Sequence, residues 1–135
     1  MKLIDQVCTL EQAKKLSELG VYLRTIWYWN LNHNNGEYYL SLRPNEDGEF
    51  YPAPTSSELG ILLPKFIIFE EYRYWLSLDN ITTEFGVSYK IDNHLLNSEF
   101  LGDKNFYESS EAQARAEAFI WLIDNKFIFV ENLTL

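Results

Sequence analysis

Few side chains in this chain of 135 residues combine a reactive type with a useful spacing. Glu70 and Glu71 stand inside the apolar run 65–78, where burial would raise a carboxyl pKa towards that of a general acid. Neighbours on an extended strand point to opposite faces, so the two cannot work as a facing pair. Glu71 shares a strand face with Arg73, and an ion pair is the plainer expectation for them. His33 and His94 are the only imidazoles. Asp92-Asn93-His94 offers two ligands to a metal, but the spacing supplies no third, so a solvated loop histidine is expected. Cys8 lies just ahead of a helix start, where a thiolate could be stabilised, yet no histidine is close in sequence. It is read as a small buried residue. A single cysteine excludes an intramolecular disulfide and a cysteine-based zinc site. There is no Gly-x-Ser-x-Gly turn, and six glycines form no phosphate-cradling loop. The expectation is a non-enzymatic chain with no cofactor and no metal. The alternative is a small hydrolase-like enzyme built on Glu70 or Glu71, with His94.

Aromatic residues make up 16% of the chain, and they concentrate in strand-like runs. Trp27, Trp29, Tyr72, Tyr74 and Trp75 form the candidate partner-binding set, because Trp and Tyr bring large contact area at low entropy cost. The competing assignment, favoured for most of them, is a core beneath helices. The net charge is −9, from 20 acidic and 11 basic residues. Such a surface repels phosphate backbones and anionic membranes, fits a basic protein partner, and also simply keeps a domain in solution. The 47% apolar content supports one full core, hence a single domain over 1–135. No run approaches the roughly 18 apolar residues of a membrane helix. Met1–Thr9 contains Asp5 and lacks the apolar stretch of a secretory leader. The expected location is therefore the cytoplasm of a bacterium or an infected host. On that ground the acceptor patterns Asn80-Ile81-Thr82 and Asn132-Leu133-Thr134 are coincidental.

The elements that would position these residues are marked by caps and periodicity. Thr9 with Gln12 predicts a capped helix over 10–19, whose Leu10, Ala13, Leu16 and Leu19 form one apolar face. Residues 22–31 and 37–42 predict a hairpin turning at Asn35-Gly36. Residues 50–54 must be extended, because residues before proline avoid the helical region. Thr55 with Glu58 caps a short helix over 56–63. Residues 65–78 read as one long strand, with Ile67, Phe69, Glu71, Arg73 and Trp75 on one face. Its other face carries Phe66, Ile68, Glu70, Tyr72, Tyr74 and Leu76. Residues 82–91 alternate as a half-buried strand, and 92–107 read as an irregular loop. Ser110 with Gln113 predicts a third capping box, opening a helix over 111–125 with Glu111 paired to Arg115. Residues 127–130 suggest a short closing strand. The order α-β-β-α-β-β-α predicts an α+β fold, with a single antiparallel sheet of about four strands and helices on one face.

Three stretches carry a likeness: TLEQAKKLSELG at 9–20, YPAPTSSELGILLP at 51–64 and SSEAQARAEAFIWLIDNK at 109–126. In order and spacing the chain resembles a group of small phage- and prophage-associated bacterial proteins. These open with a similar helix, carry a Pro-Ala-Pro-Thr lead into a short helix, and end in an Ala-rich helix. The resemblance implies an accessory protein of a phage or mobile element, and it transfers no activity and no site residue. Together these readings favour an accessory protein that binds a protein partner, such as an inhibitor of a basic host factor. A self-associating structural domain, as a homodimer, is the third reading.

Overall fold

The structure, a computed structural model, describes residues 2–91 and 99–133. Three helices start where the caps place them. Helix α1 (Leu10–Glu18) opens on a complete capping box, with Gln12 N–H donating to Thr9 Oγ1 at 3.1 Å and Thr9 N–H to Gln12 Oε1 at 3.0 Å. Helix α2 (Ser56–Leu62) repeats this with Thr55 and Glu58. Helix α3 (Glu111–Asp124) has half of its predicted box: Gln113 N–H donates to Ser110 Oγ at 3.2 Å, while the Gln113 amide oxygen accepts from Ser109 Oγ instead. Each cap contributes about 1 kcal/mol by satisfying an otherwise free N–H. Arg115 meets Glu111 at 2.8 Å, one turn apart as the sequence predicts.

The strands form two antiparallel sheets, which corrects the expectation of a single one. The first sheet holds β1 (Trp27–Leu31), β2 (Tyr38–Ser41) and β3 (Phe50–Ala53), in the order β2-β1-β3. The second holds β4 (Phe66–Phe69), β5 (Tyr72–Ile81), β6 (Glu84–Ile91) and β7 (Glu99–Glu108), in chain order. Three physical causes separate this from the sequence reading. The proline-extended segment becomes β3 and pairs with β1, Trp29 opposite Tyr51, so the first hairpin gains its own third strand. The run 65–78 breaks at Glu70-Glu71 into a tight hairpin. Much of the expected loop 92–107 is β7, whose pattern is disguised by a bulge where Gly102 and Asp103 take positive φ. Residues 92–98 lie outside the described residues. No closing strand forms at 127–130; Phe127 N–H turns back to Leu122 C=O at 2.9 Å, and a single 3₁₀ turn follows at Val130–Asn132.

Helix α3 sits at the centre. One side packs on β6 and β7, and the other meets α1 and α2. That double burial explains why Ala112, Ala114, Ala116 and Ala118 are all buried alongside Phe119 and Leu122. Small side chains let neighbouring backbones approach, and the large ones fill the gaps between layers. Buried polar groups tie the layers together. Gln12 donates to Gln113 C=O at 3.0 Å and to Glu117 Oε1 at 2.8 Å, linking α1 to α3. Asn30 donates to Arg43 C=O and accepts from Asn45 N–H, pinning the β2–β3 turn to β1. Among the described residues, no helix is long and apolar enough to cross a membrane.

Candidate functional site

The four-stranded sheet has two unlike faces. Ile67, Tyr74, Leu76, Val87 and Tyr89 share the inner face, against or near α3, and the Tyr89 hydroxyl donates to Pro64 C=O at 2.7 Å. The outer face carries Phe66, Ile68, Arg73, Trp75, Ser77, Asp79, Ser88, Lys90 and Tyr107. Phe66, Ile68 and Trp75 are 41%, 62% and 46% exposed, and they sit on adjacent strands with Phe66 directly opposite Trp75. Their rings pair at 5.3 Å between centroids. The Arg73 guanidinium lies over both, 4.6 Å from the Phe66 centroid and 5.5 Å from that of Trp75. Lys90 lies over Phe100 at 5.3 Å. Each cation is thus laid along an aromatic surface, an arrangement worth about 0.5–1 kcal/mol at exposed sites. At the two ends of β5 the charges are acidic: exposed Glu70 and Glu71 at one, exposed Asp79 and Glu84 at the other. Tyr107 closes the β7 side of the face. Its ring covers Gly86, where any Cβ would come within 2.4 Å of it.

The hairpin that presents this face is held by an unusual turn. Glu70 and Glu71 have φ of 50° and 74°. A two-residue hairpin turn of type I′ needs positive φ at both central positions, which Asn-Gly supplies cheaply. A residue with a Cβ costs about 1–2 kcal/mol in that region. The glutamates are therefore retained at a local cost in stability. Both are exposed on the turn, not buried within an apolar strand as the sequence suggests.

The five aromatic residues singled out from the sequence are dispersed. Trp27 is half-buried and Trp29 is buried in the three-stranded sheet, where the Trp29 indole N–H donates to Cys8 C=O at 3.2 Å. Tyr74 is buried on the inner face. Tyr72 is 42% exposed near the hairpin tip, opposite Phe69 on the inner side. Trp75 alone of the five lies on the open outer face, beside Phe66 and Ile68, which sequence reasoning did not single out. The reason is parity. Running one alternation through 65–78 groups Phe66 with Tyr72, whereas the Glu70-Glu71 turn reverses direction and groups it with Arg73 and Trp75. The signal that could have found this is the pair of charges interrupting FIIF and YRYW.

The remaining reactive side chains occupy quieter places. Cys8 is fully buried, its N–H donates to Pro54 C=O, and burial drives its thiol pKa upwards. Native protein is therefore expected to resist thiol-directed labelling at neutral pH, with modification following the unfolding rate. Rapid stoichiometric labelling in native buffer would contradict this burial. His33 is exposed on the β1–β2 loop and packs its Nε2 near Gly48; His94 lies outside the described residues. Among the described residues, no group of three or more His, Cys, Asp or Glu side chains is placed to hold a metal. Glu71 does not meet Arg73 in an ion pair; the guanidinium is on the rings instead.

One carboxylate pair escaped the sequence reading. A groove of about 420 Å³ between α1, α3 and the end of β7 is lined by Glu11, Gln12, Lys15, Glu108 and Glu117. Burial first, then the charges of Glu117 and Glu84, hold the Glu108 carboxyl above its ordinary pKa. Glu117 is engaged by Gln12. A raised folded-state pKa means that Glu108 favours the fold most when protonated, and this contribution is lost as pH rises through the folded value. Glu108→Gln is therefore expected to stabilise the protein at neutral pH by up to about 1 kcal/mol, the scale of partly solvated charge pairs. The gain should shrink as pH falls through the raised folded value towards the ordinary glutamate range. Urea unfolding of both proteins across that range checks the sign.

The chain matches no family model, no curated protein and no solved structure.

Proposed function

We propose that this protein is a non-enzymatic binding module that docks a basic protein on the outer face of its four-stranded sheet. The observation that carries the reading is the open cluster of Phe66, Ile68 and Trp75, with Arg73 lying across the rings. An aromatic centre with an arginine is the composition of interface hot spots. The acidic ends of the face, Glu70 with Glu71 and Asp79 with Glu84, match a partner whose apolar patch is flanked by Lys and Arg. The chain charge of −9 would speed encounter with such a partner. In the setting implied by the resemblance to phage-associated proteins, the partner is a basic, nucleic-acid-handling factor, and occupying its basic surface would inhibit it.

The test has two stages. A partner recovered on the native chain from host extract is purified and its binding measured directly. The expected partner is basic, binds less tightly as salt is raised, and loses most of its affinity for a chain carrying Ile68→Ser and Trp75→Ala. A partner that binds this variant as well as the native chain contradicts the reading, as does the absence of any partner at low and moderate salt.

A further inference from the structure

The two edges of the four-stranded sheet are built differently. At β7, a bulge, positive φ at Gly102 and Asp103, and the charges of Asp103 and Lys104 interrupt the ladder. These are the devices by which natural sheets block pairing with a second chain. At the opposite edge, β4 is Phe-Ile-Ile-Phe, with no charge, proline or bulge. Its open groups follow from the register. Leu76 N–H donates to Lys65 C=O at 2.9 Å, and Phe66 lies opposite Trp75. Hydrogen-bonded and non-hydrogen-bonded pairs alternate along an antiparallel ladder. Phe66 and Ile68 therefore direct their N–H and C=O away from β5, towards the open side.

We infer that β4 pairs with β4 of a second copy of this chain, joining two four-stranded sheets into one of eight strands. The segment 65–70 reads Lys-Phe-Ile-Ile-Phe-Glu, a cation at one end and an anion at the other, neutral within a chain of −9. Antiparallel apposition brings unlike charges towards each other at both ends; parallel apposition would bring like charges together. A two-fold axis perpendicular to the sheet keeps inner faces together. It sets Ile67 opposite Ile67 of the second copy and Phe66 opposite Ile68 of the second copy, so the residues whose main-chain groups point away from β5 meet. Lys65 then lies beside the Phe69-Glu70 end of the second copy. This contact uses main-chain groups of β4 and the end charges Lys65 and Glu70, so the Phe66, Ile68 and Trp75 clusters of both copies stay on the open face and merge across the seam. It is separable from the docking role of the face.

Sedimentation of the full chain tests it. The native chain is expected to populate a species of twice 15.9 kDa as concentration is raised. Ile68→Pro removes one outward N–H and none that bonds β5, so it is expected to give a folded monomer. Lys65→Glu places like charges at both ends and should weaken the dimer at least tenfold. Combining it with Glu70→Lys should restore native association, which no unfolding effect can mimic. Trp75→Ala should remain dimeric, which separates this result from partner docking. A native chain that stays monomeric at its highest attainable concentration overturns the inference. So does an Ile68→Pro chain that is folded and still dimeric, or a charge-swapped double variant no better than Lys65→Glu alone.

Discussion

Gly102→Ala is expected to destabilise the fold by about 2–4 kcal/mol, from backbone strain and overpacking together. Gly102 has φ of 62°, so a Cβ alone carries the left-handed penalty. A Cβ there would also meet Trp121 Cζ2 at 2.6 Å. The indole cannot retreat freely, because it stacks on Phe127 at 5.3 Å and packs against Phe106 at 5.9 Å. Phe127 in turn meets Phe69 edge-on, so the displacement reaches the β4–β5 hairpin. Gly20→Ala provides the control. Gly20 also has positive φ, 82°, but nothing lies within 4 Å of its added Cβ. Its cost should be the strain alone, about 1–2 kcal/mol. Urea unfolding with unchanged m-values measures both. Equal effects at the two glycines would mean that the contact between the bulge and Trp121 is not tight.

Trp75→Ala is expected to remove about 2 kcal/mol or more of partner affinity, roughly a thirtyfold loss, while changing fold stability by no more than about 1 kcal/mol. The small stability effect follows from its setting, a half-open ring held by one cross-strand neighbour and one guanidinium. Trp29→Ala should show the opposite profile. Its indole is buried and its N–H satisfies Cys8 C=O, so truncation should cost about 3–5 kcal/mol of stability. Partner affinity per folded molecule should be unchanged. Titration calorimetry paired with denaturant unfolding separates the two tryptophans, which look alike in the sequence.

Local signals in the chain predict local structure well. The Thr9, Thr55 and Ser110 caps, the Asn35-Gly36 turn with φ of 73° at Gly36, and the Glu111–Arg115 pair are short-range features, and each appears where spacing puts it. The α+β class follows from them. The number of sheets does not, because it depends on which distant strands meet. Nothing near Phe50–Ala53 specifies that Tyr51 lies opposite Trp29. The hairpin turn at Glu70-Glu71 is marked only by its pair of charges, because glutamate has no preference for positive φ and the pairing of β4 with β5 imposes it. That one turn inverts the parity of every residue after it. It decides that Trp75 joins Phe66 and Ile68 outside while Tyr74 goes inside. The candidate surface was thus legible in composition, as an aromatic excess on strands, but its membership was set by one strained turn.

The most direct measurement is site-specific photocrosslinking, with the reactive residue placed at position 75 on the outer face or at position 61 on α2. Ile61 is 74% exposed and lies on a separate element from the hairpin, so it controls for random collision. With the purified basic partner, crosslinks are expected from position 75, lost when excess unlabelled native chain competes and reduced as salt is raised. Crosslinks from position 61 with none from position 75 would place the partner elsewhere and contradict the assignment of the sheet face.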